Sequence, residues 1–293
     1  MIPFEIQKNP RTLLNKARRH AKKSLGQHFL NHPDIAHEIV QLSGTTHLDQ
    51  IIEIGPGLGA LTIPLCKHAH KVYAIDIDTH LLDLLSIELD KKEIKNVQLI
   101  HADILKVPFD TIISQHPSLP EAKSNWVVMG NLPYHISSQI IVKLIKERQG
   151  ISHAVVMLQK EMAERIQSAP GSKAYGRLSV MLQYCSNINT LIEIKGSDFF
   201  PKVKVDSQVL QITFHHQIDL PVDDENALFR VVKAAFGKRR KTINNALRSG
   251  LSYDDAKVTW ALKHACIDPI RRAETLSVND FVNLTNAFTS IYV

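Results

Sequence analysis

Short apolar runs alternate with stretches of helical periodicity from residue 51 to residue 159, and that alternation leaves few folds open. The runs are Ile51–Ile54, Val72–Ile75, Val97–Ile100, Trp126–Met129 and Ala154–Leu158. Apart from Glu53 and Gln98 they are apolar, as strands buried on both faces of a parallel sheet must be. Between them lie helical patterns, the clearest over Thr79–Lys91, where Leu81, Leu82, Leu84, Leu85 and Leu89 line one face. Strand and helix in repeated order predict an α/β fold with a Rossmann-like, doubly wound, mostly parallel sheet and right-handed crossovers. Leu191–Ile194 and Val209–Phe214 add two strands with no full helix between them, which predicts an antiparallel hairpin at one edge. Residues 108–125, with prolines at 108, 117 and 120, predict a loop.

The pattern changes after Ile218. From Asp224 onward it is helical only, over Ala227–Phe236, Thr242–Leu247, Tyr253–Ala265 and Val278–Ile291. Residues 1–218 therefore form an α/β domain with a basic N-terminal extension, and residues 219–293 a small all-helical domain. Charge is where composition matters. The net charge is +6, concentrated in two acid-free clusters. One holds Lys8, Arg11, Lys16, Arg18, Arg19, Lys22 and Lys23; the other holds Arg230, Lys233, Lys238, Arg239, Arg240, Lys241 and Arg248. Paired basic clusters point to a polyanion, RNA or DNA. Cys66, Cys185 and Cys266 are scattered and odd in number, which suggests reduced, buried thiols of a cytoplasmic protein. The fifteen histidines lack metal-binding spacing, so no metal is expected. No apolar run approaches the length of a membrane span. Residues 8–23 have the composition of a transit segment but run straight into a motif used below, and no apolar signal segment precedes them.

The first strand ends in Gly55-Pro56-Gly57-Leu58-Gly59, a turn that brings backbone close to a ligand at a helix N-terminus. Asp76 ends the second strand, 21 residues after Gly55, placed for ribose hydroxyls. The loop alone fits NAD as well as S-adenosylmethionine. Three features favour S-adenosylmethionine. Glu53 completes Glu-x-Gly-x-Gly-x-Gly, the form seen in class I methyltransferases. Asp103, ending the third strand, suits the amine of adenine. Asn131-Leu132-Pro133-Tyr134, after the fourth strand, resembles the signature of amino-methyltransferases. Those four residues alone read as readily as a turn. With acids or an amide at three successive strand ends, they read as a clamp on a target base. The Asn131 oxygen and the Pro133 carbonyl would accept the two hydrogens of an exocyclic amine. Tyr134 would stack on the base, and Phe199 or Phe200 would cover its other face.

The blocks Lys23–Leu30, Glu53–Gly57, Asn131–Tyr134, Leu158–Glu161, Ser172–Ser179 and Arg239–Ile243 resemble those of the KsgA-type rRNA adenine N6-dimethyltransferases. The resemblance covers about residues 18 to 290, in the expected order. It implies dimethylation of N6 on two adjacent adenosines near the 3′ end of 16S rRNA, in the immature 30S subunit. S-adenosyl-L-methionine would be the donor and S-adenosylhomocysteine the product. By carry-over, His28 and Leu30 would line the cofactor site. Gly55 and Gly57 would approach the methionine portion, Asp76 the ribose and Asp103 the adenine. Asn131 would touch cofactor and target, and Arg239, Arg240 and Lys241 the RNA. A monomer is expected. Three positions depart from the common pattern: His28 and His135 stand where Asn is frequent, and Lys202-Val203-Lys204 follow Phe199-Phe200-Pro201. Two rivals remain, a large-subunit rRNA adenine methyltransferase conferring antibiotic resistance and a mainly non-catalytic ribosome-assembly factor.

Overall fold

The structure is a computed structural model that describes residues 9–115, 125–238 and 240–290. Lys8, Arg239, residues 116–124 of the expected loop and the end of the helix expected to reach Ile291 lie outside the described residues. In chain order the N-terminal part comprises α1 (Pro10–Lys16), β1 (Phe29–Leu30), α2 (Pro33–Leu42), β2 (Gln50–Ile54), α3 (Thr62–His68), β3 (Lys71–Asp76) and α4 (Thr79–Lys91). Next come β4 (Val97–His101), α5 (Phe109–Gln115), β5 (Trp126–Asn131), α6 (Ser137–Lys146), β6 (Ile151–Gln159), α7 (Lys160–Gln167) and α8 (Arg177–Cys185). The chain continues through β7 (Ser186–Ile194), β8 (Phe199–Phe200) and β9 (Ser207–Phe214). It ends in α9 (Glu225–Ala235), α10 (Ile243–Gly250), α11 (Asp255–His264) and α12 (Val278–Thr289).

Seven strands form one sheet in the order β4-β3-β2-β5-β6-β9-β7. Strands β4, β3, β2, β5 and β6 are parallel to their neighbours, and β9 runs antiparallel to β6. The two strands expected as an edge hairpin, β7 and β9, are neighbours, but β9 lies between β6 and β7, so β7 is the edge. Chain direction across the sheet reverses at the β2–β5 pair, where open α/β sheets leave a crevice at the carboxyl ends. These two strands are the most buried: Ile51, Ile52, Val127, Val128 and Met129 have no exposed surface. Gly130 lets them close on each other. A Cβ there would fall 3.2 Å from Ile54 Cβ and still closer to the Ile54 carbonyl oxygen.

Part of the expected loop is helical. Phe109 is fully buried under the Lys143 ammonium, 4.7 Å from its ring. Glu147 accepts the Phe109 N–H at 2.9 Å, capping the start of α5. The basic extension docks through Leu14 of α1, which joins Phe29, Leu58 and Leu81 in a small apolar cluster. Strand β1 then pairs antiparallel with β8, Phe29 opposite Phe200 and Leu30 opposite Phe199.

The chain divides into two compact units. One runs to Ala163 and includes Ile188–Phe214; the other comprises Glu164–Asn187 and the residues from His215 on. The helical unit thus contains a segment that the expected boundary at 218 assigns elsewhere. That segment holds α8, whose Val180, Leu182 and Cys185 are fully buried and which packs with α9 and α12. Side-chain caps start its helices: Asp224, Thr242, Asp254 and Ser277 each accept a first-turn N–H. Cys66 and Cys185 are buried free thiols, but Cys266 is exposed, against the expectation of three buried ones. No helix among the described residues is long and apolar enough to cross a membrane.

Replacing Gly130 by Val should overpack the β2–β5 junction and lower the unfolding free energy by about 1–3 kcal/mol. Urea denaturation checks this; a variant as stable as the parent would show that the close approach is not required.

Candidate active site

A cavity of about 320 Å³ opens at the carboxyl ends of β2, β3, β4 and β5. Its other wall is the N-terminal block around Leu25–Pro33. His28, Leu30, Gly55, Gly57, Asp76, Asp103, Asn131, Pro133 and Tyr134 all line it, so the topology gathers residues from five separate stretches of sequence.

The glycine turn follows β2. Gly55 (φ 69°) and Gly57 (φ 57°) are left-handed, a conformation side chains resist. A Cβ on Gly57 would also sit 3.1 Å from the Phe29 ring, so the turn stays open only without one. Asp76, at the end of β3, accepts N–H groups of Asp78, Gly57 and Ile77, the first at 2.9 Å. Burial raises its carboxyl above the ordinary value, and these N–H groups oppose that rise. They also fix which way the carboxylate faces. Asp103 follows β4; its Oδ1 accepts the Leu105 N–H at 3.0 Å, and Lys106 Nζ lies 3.7 Å from Oδ2.

Glu53 is 1% exposed yet lines the cavity. Burial pushes its carboxyl up to about 8, and the neighbouring Asp76 adds to the rise. The Thr62 hydroxyl and N–H lie near enough to oppose it, yet Glu53 Oε2 and Thr62 Oγ1 are both left without a hydrogen-bond partner. Sequence reasoning missed Ile77. It is 51% exposed between the half-buried Asp76 and the buried Asp78, an apolar side chain at the cavity wall. The signal was an apolar residue directly after a strand-end acid, with Ile104 after Asp103 repeating it.

Strand β5 ends in Asn131, whose Nδ2 donates to the His28 carbonyl at 2.9 Å. That bond commits the amide nitrogen and leaves Oδ1 as the free acceptor. The Pro133 carbonyl takes the Ile136 N–H at 3.1 Å, which leaves one lone pair for a second donor. Tyr134 stacks on the His28 ring, centroids 5.7 Å apart, and its hydroxyl meets Ser207 Oγ at 3.0 Å. His28 Nδ1 in turn lies 3.0 Å from the Pro201 carbonyl. His28 therefore ties together the N-terminal block, the Asn131–Tyr134 turn and the loop after β8. His135 is exposed and packs over Gly26, where a Cβ would lie 3.0 Å from its Nδ1.

Some expected residues are not brought to the cavity. Phe199 is 1% exposed in the main core, beside Leu30 and Val209, so it cannot cover a base. Phe200 packs against the cluster around Phe29 and is absent from the cavity wall. Arg240 and Lys241 are exposed in the helical unit, in the turn between α9 and α10. Among the described residues, no group of three or more His, Cys, Asp or Glu side chains could hold a metal ion.

A left-handed glycine cradle, oriented carboxylates at successive strand ends, an apolar slot at Ile77 and an orphaned carboxyl oxygen fit S-adenosylmethionine. The fold and this cavity are those of a class I methyltransferase. Comparison with known proteins narrows the class. The family model described as "Ribosomal RNA adenine dimethylase" matches residues 18–290. A "Ribosomal RNA small subunit methyltransferase A" of Desulforapulum autotrophicum is 44% identical over 97% of each chain. One from Shouchella clausii is 42% identical over 92% of this chain and 90% of that one. The crystal structure of a dimethyladenosine transferase from Plasmodium falciparum superposes with a TM-score of 0.75 at 25% identity, covering 90% of this chain and 98% of that one. The 23S rRNA methyltransferase ErmE shares the fold, with a TM-score of 0.63 at 22% identity over 89% and 99% of the two chains. The chain belongs to the ribosomal RNA adenine dimethylase family and is an S-adenosylmethionine-dependent methyltransferase.

The folded protein keeps the Glu53 proton until about pH 8, whereas an exposed glutamate releases it near 4.5. Stability from this group is therefore full below about pH 4.5 and lost progressively as pH rises through about 8. Glu53→Gln should flatten that decline in thermal unfolding of the cofactor-free protein. A decline of unchanged steepness would contradict the assignment.

Proposed function

We propose that the protein dimethylates N6 of two adjacent adenosines near the 3′ end of 16S rRNA, acting as a cytoplasmic monomer on the immature 30S subunit. Support comes from family membership and from relatives named for the small subunit. The observation that carries the chemistry is the Asn131–His28 hydrogen bond, which turns the amide into a dedicated acceptor.

When bound, S-adenosylmethionine supplies an electrophilic methyl group on a sulfonium sulfur. Asp76 would hold the ribose, Asp103 the adenine amine, and the Gly55–Gly57 turn the methionine end. The adenine N6 of the substrate is a poor nucleophile, because its lone pair is delocalised into the ring. Asn131 Oδ1 and the Pro133 carbonyl accept its two hydrogens and turn the lone pair out of the ring plane. Tyr134, backed by His28 on one face and pinned by Ser207, offers its other face to the base. Stacking of this kind contributes about 1–3 kcal/mol per base. Transfer of the methyl group to N6 would break its bond to sulfur and release S-adenosylhomocysteine, and the N6 cation would lose its proton to water without needing a strong base. Catalysis then rests on positioning and preorganised acceptors. The target base must be unstacked to reach the cavity. The basic clusters hold the surrounding RNA, with Arg239, Arg240 and Lys241 on phosphates.

Asn131→Ala should lower turnover by about 100-fold or more while rRNA affinity stays within about twofold, measured by single-turnover methyl transfer and filter binding. Normal transfer would remove Asn131 from the mechanism. Alanine at Arg239, Arg240 and Lys241 together should reduce the slope of log affinity against log salt by about 0.7–0.9 per lost phosphate contact. An unchanged slope in salt titrations would place the RNA elsewhere.

A further inference from the structure

Asp78 has no part in the chemistry just described, yet it is one of the few buried acids of the α/β unit. Its Oδ1 accepts the His80 N–H at 3.2 Å and so caps α4. A cap needs nothing more. Its Oδ2 is nonetheless taken by two side chains of the N-terminal block, Lys22 Nζ and Gln27 Nε2, each at 2.9 Å. The Lys22 N–H donates to Gln27 Oε1 at 2.8 Å, which closes a ring of contacts. Burial alone would push the Asp78 carboxyl up, but Lys22, Gln27 and the His80 N–H outweigh it and hold it below the ordinary value. The carboxylate is therefore ionised and committed to the segment that walls the cavity.

The backbone of the same residue faces the other way. Its N–H donates to Asp76 Oδ1 at 2.9 Å. Gln27 directly precedes His28, whose carbonyl holds Asn131. One residue thus joins the strand end that carries Asp76 to the segment that reaches Asn131.

We propose that Asp78 is a positioning residue that clasps the Lys22–Gln27 wall to the end of β3 and so sets the affinity for S-adenosylmethionine. This rests on the assignment of the cavity to that cofactor. Breaking the clasp leaves the glycine turn and Asn131 in place but frees the wall. The cost falls on cofactor binding rather than on the rate of transfer once the site is filled.

The test uses the full chain, Asp78→Asn, Lys22→Ala and the double variant. Asn retains the α4 cap and the volume but loses the acceptor that Lys22 and Gln27 share. Calorimetry with S-adenosylhomocysteine should show binding about tenfold weaker in each single variant, as expected for a charge-assisted bond to a buried group. The double variant should be no more than about twofold weaker than Asp78→Asn, because the Lys22 contact is already lost in Asp78→Asn. In Asp78→Asn, KM for S-adenosylmethionine should rise in step while kcat at saturation stays within about twofold. Tryptic cleavage at Arg18, Arg19 or Lys23 supplies a readout independent of activity. S-adenosylhomocysteine should slow it in the parent, and less so in the variants at matched occupancy. Affinity and protection equal to the parent in both single variants, or additive effects in the double, would overturn the clasp. If Asp78→Asn does not fold, Lys22→Ala decides, since Lys22 is 46% exposed on the surface. A parent that fails to bind S-adenosylhomocysteine would instead overturn the cofactor assignment.

Discussion

The close approach of β2 and β5 is the constraint on which the rest of the structure depends. Two parallel strands at a reversal of chain direction leave a crevice at their carboxyl ends. Here Gly130 lets the two strands close on each other, and the left-handed turn at Gly55 and Gly57 keeps the crevice floor bare. A Cβ on Gly55 would lie 3.7 Å from the Asn131 carbonyl oxygen, so the glycine turn and the Asn131–Tyr134 turn are built against each other. On the proposed function, that proximity brings a methyl donor and an exocyclic amine together in one cavity.

Electrostatics complement the geometry. Glu53 and Asp76 share a buried site, and both carboxyls are raised, chiefly by burial. A pocket that penalises its own negative charge gains most from a positively charged ligand. The net charge of +6 is carried by two basic clusters, which on the proposed function serve the RNA, with Lys22 turned inward to Asp78.

Much of this was legible in the sequence. The five parallel strands announced themselves as apolar runs, and the acids and amide at their ends marked the cavity. What escaped depends on contacts between distant residues. Nothing local reveals that Asn131 donates to a carbonyl 103 residues away, or that Glu147 caps α5 from 38 residues downstream. Phe199 and Phe200 looked equivalent, yet successive residues of a strand face opposite sides, and only pairing with β1 settles which one enters the core. Helix α8 hid between Gly176 and β7, because its burial comes from helices later in the chain.

The central claim is that this cavity presents a splayed adenine to a methyl donor, and that the adenine belongs to small-subunit rRNA. The most direct test is to incubate the protein with isotopically labelled S-adenosylmethionine and immature small subunits, then map the labelled bases. Label is expected on N6 of two adjacent adenosines near the 3′ end of 16S rRNA, each carrying two methyl groups, and none with Asn131→Ala. Label confined to 23S rRNA, or no label with correctly assembled substrate, would contradict it.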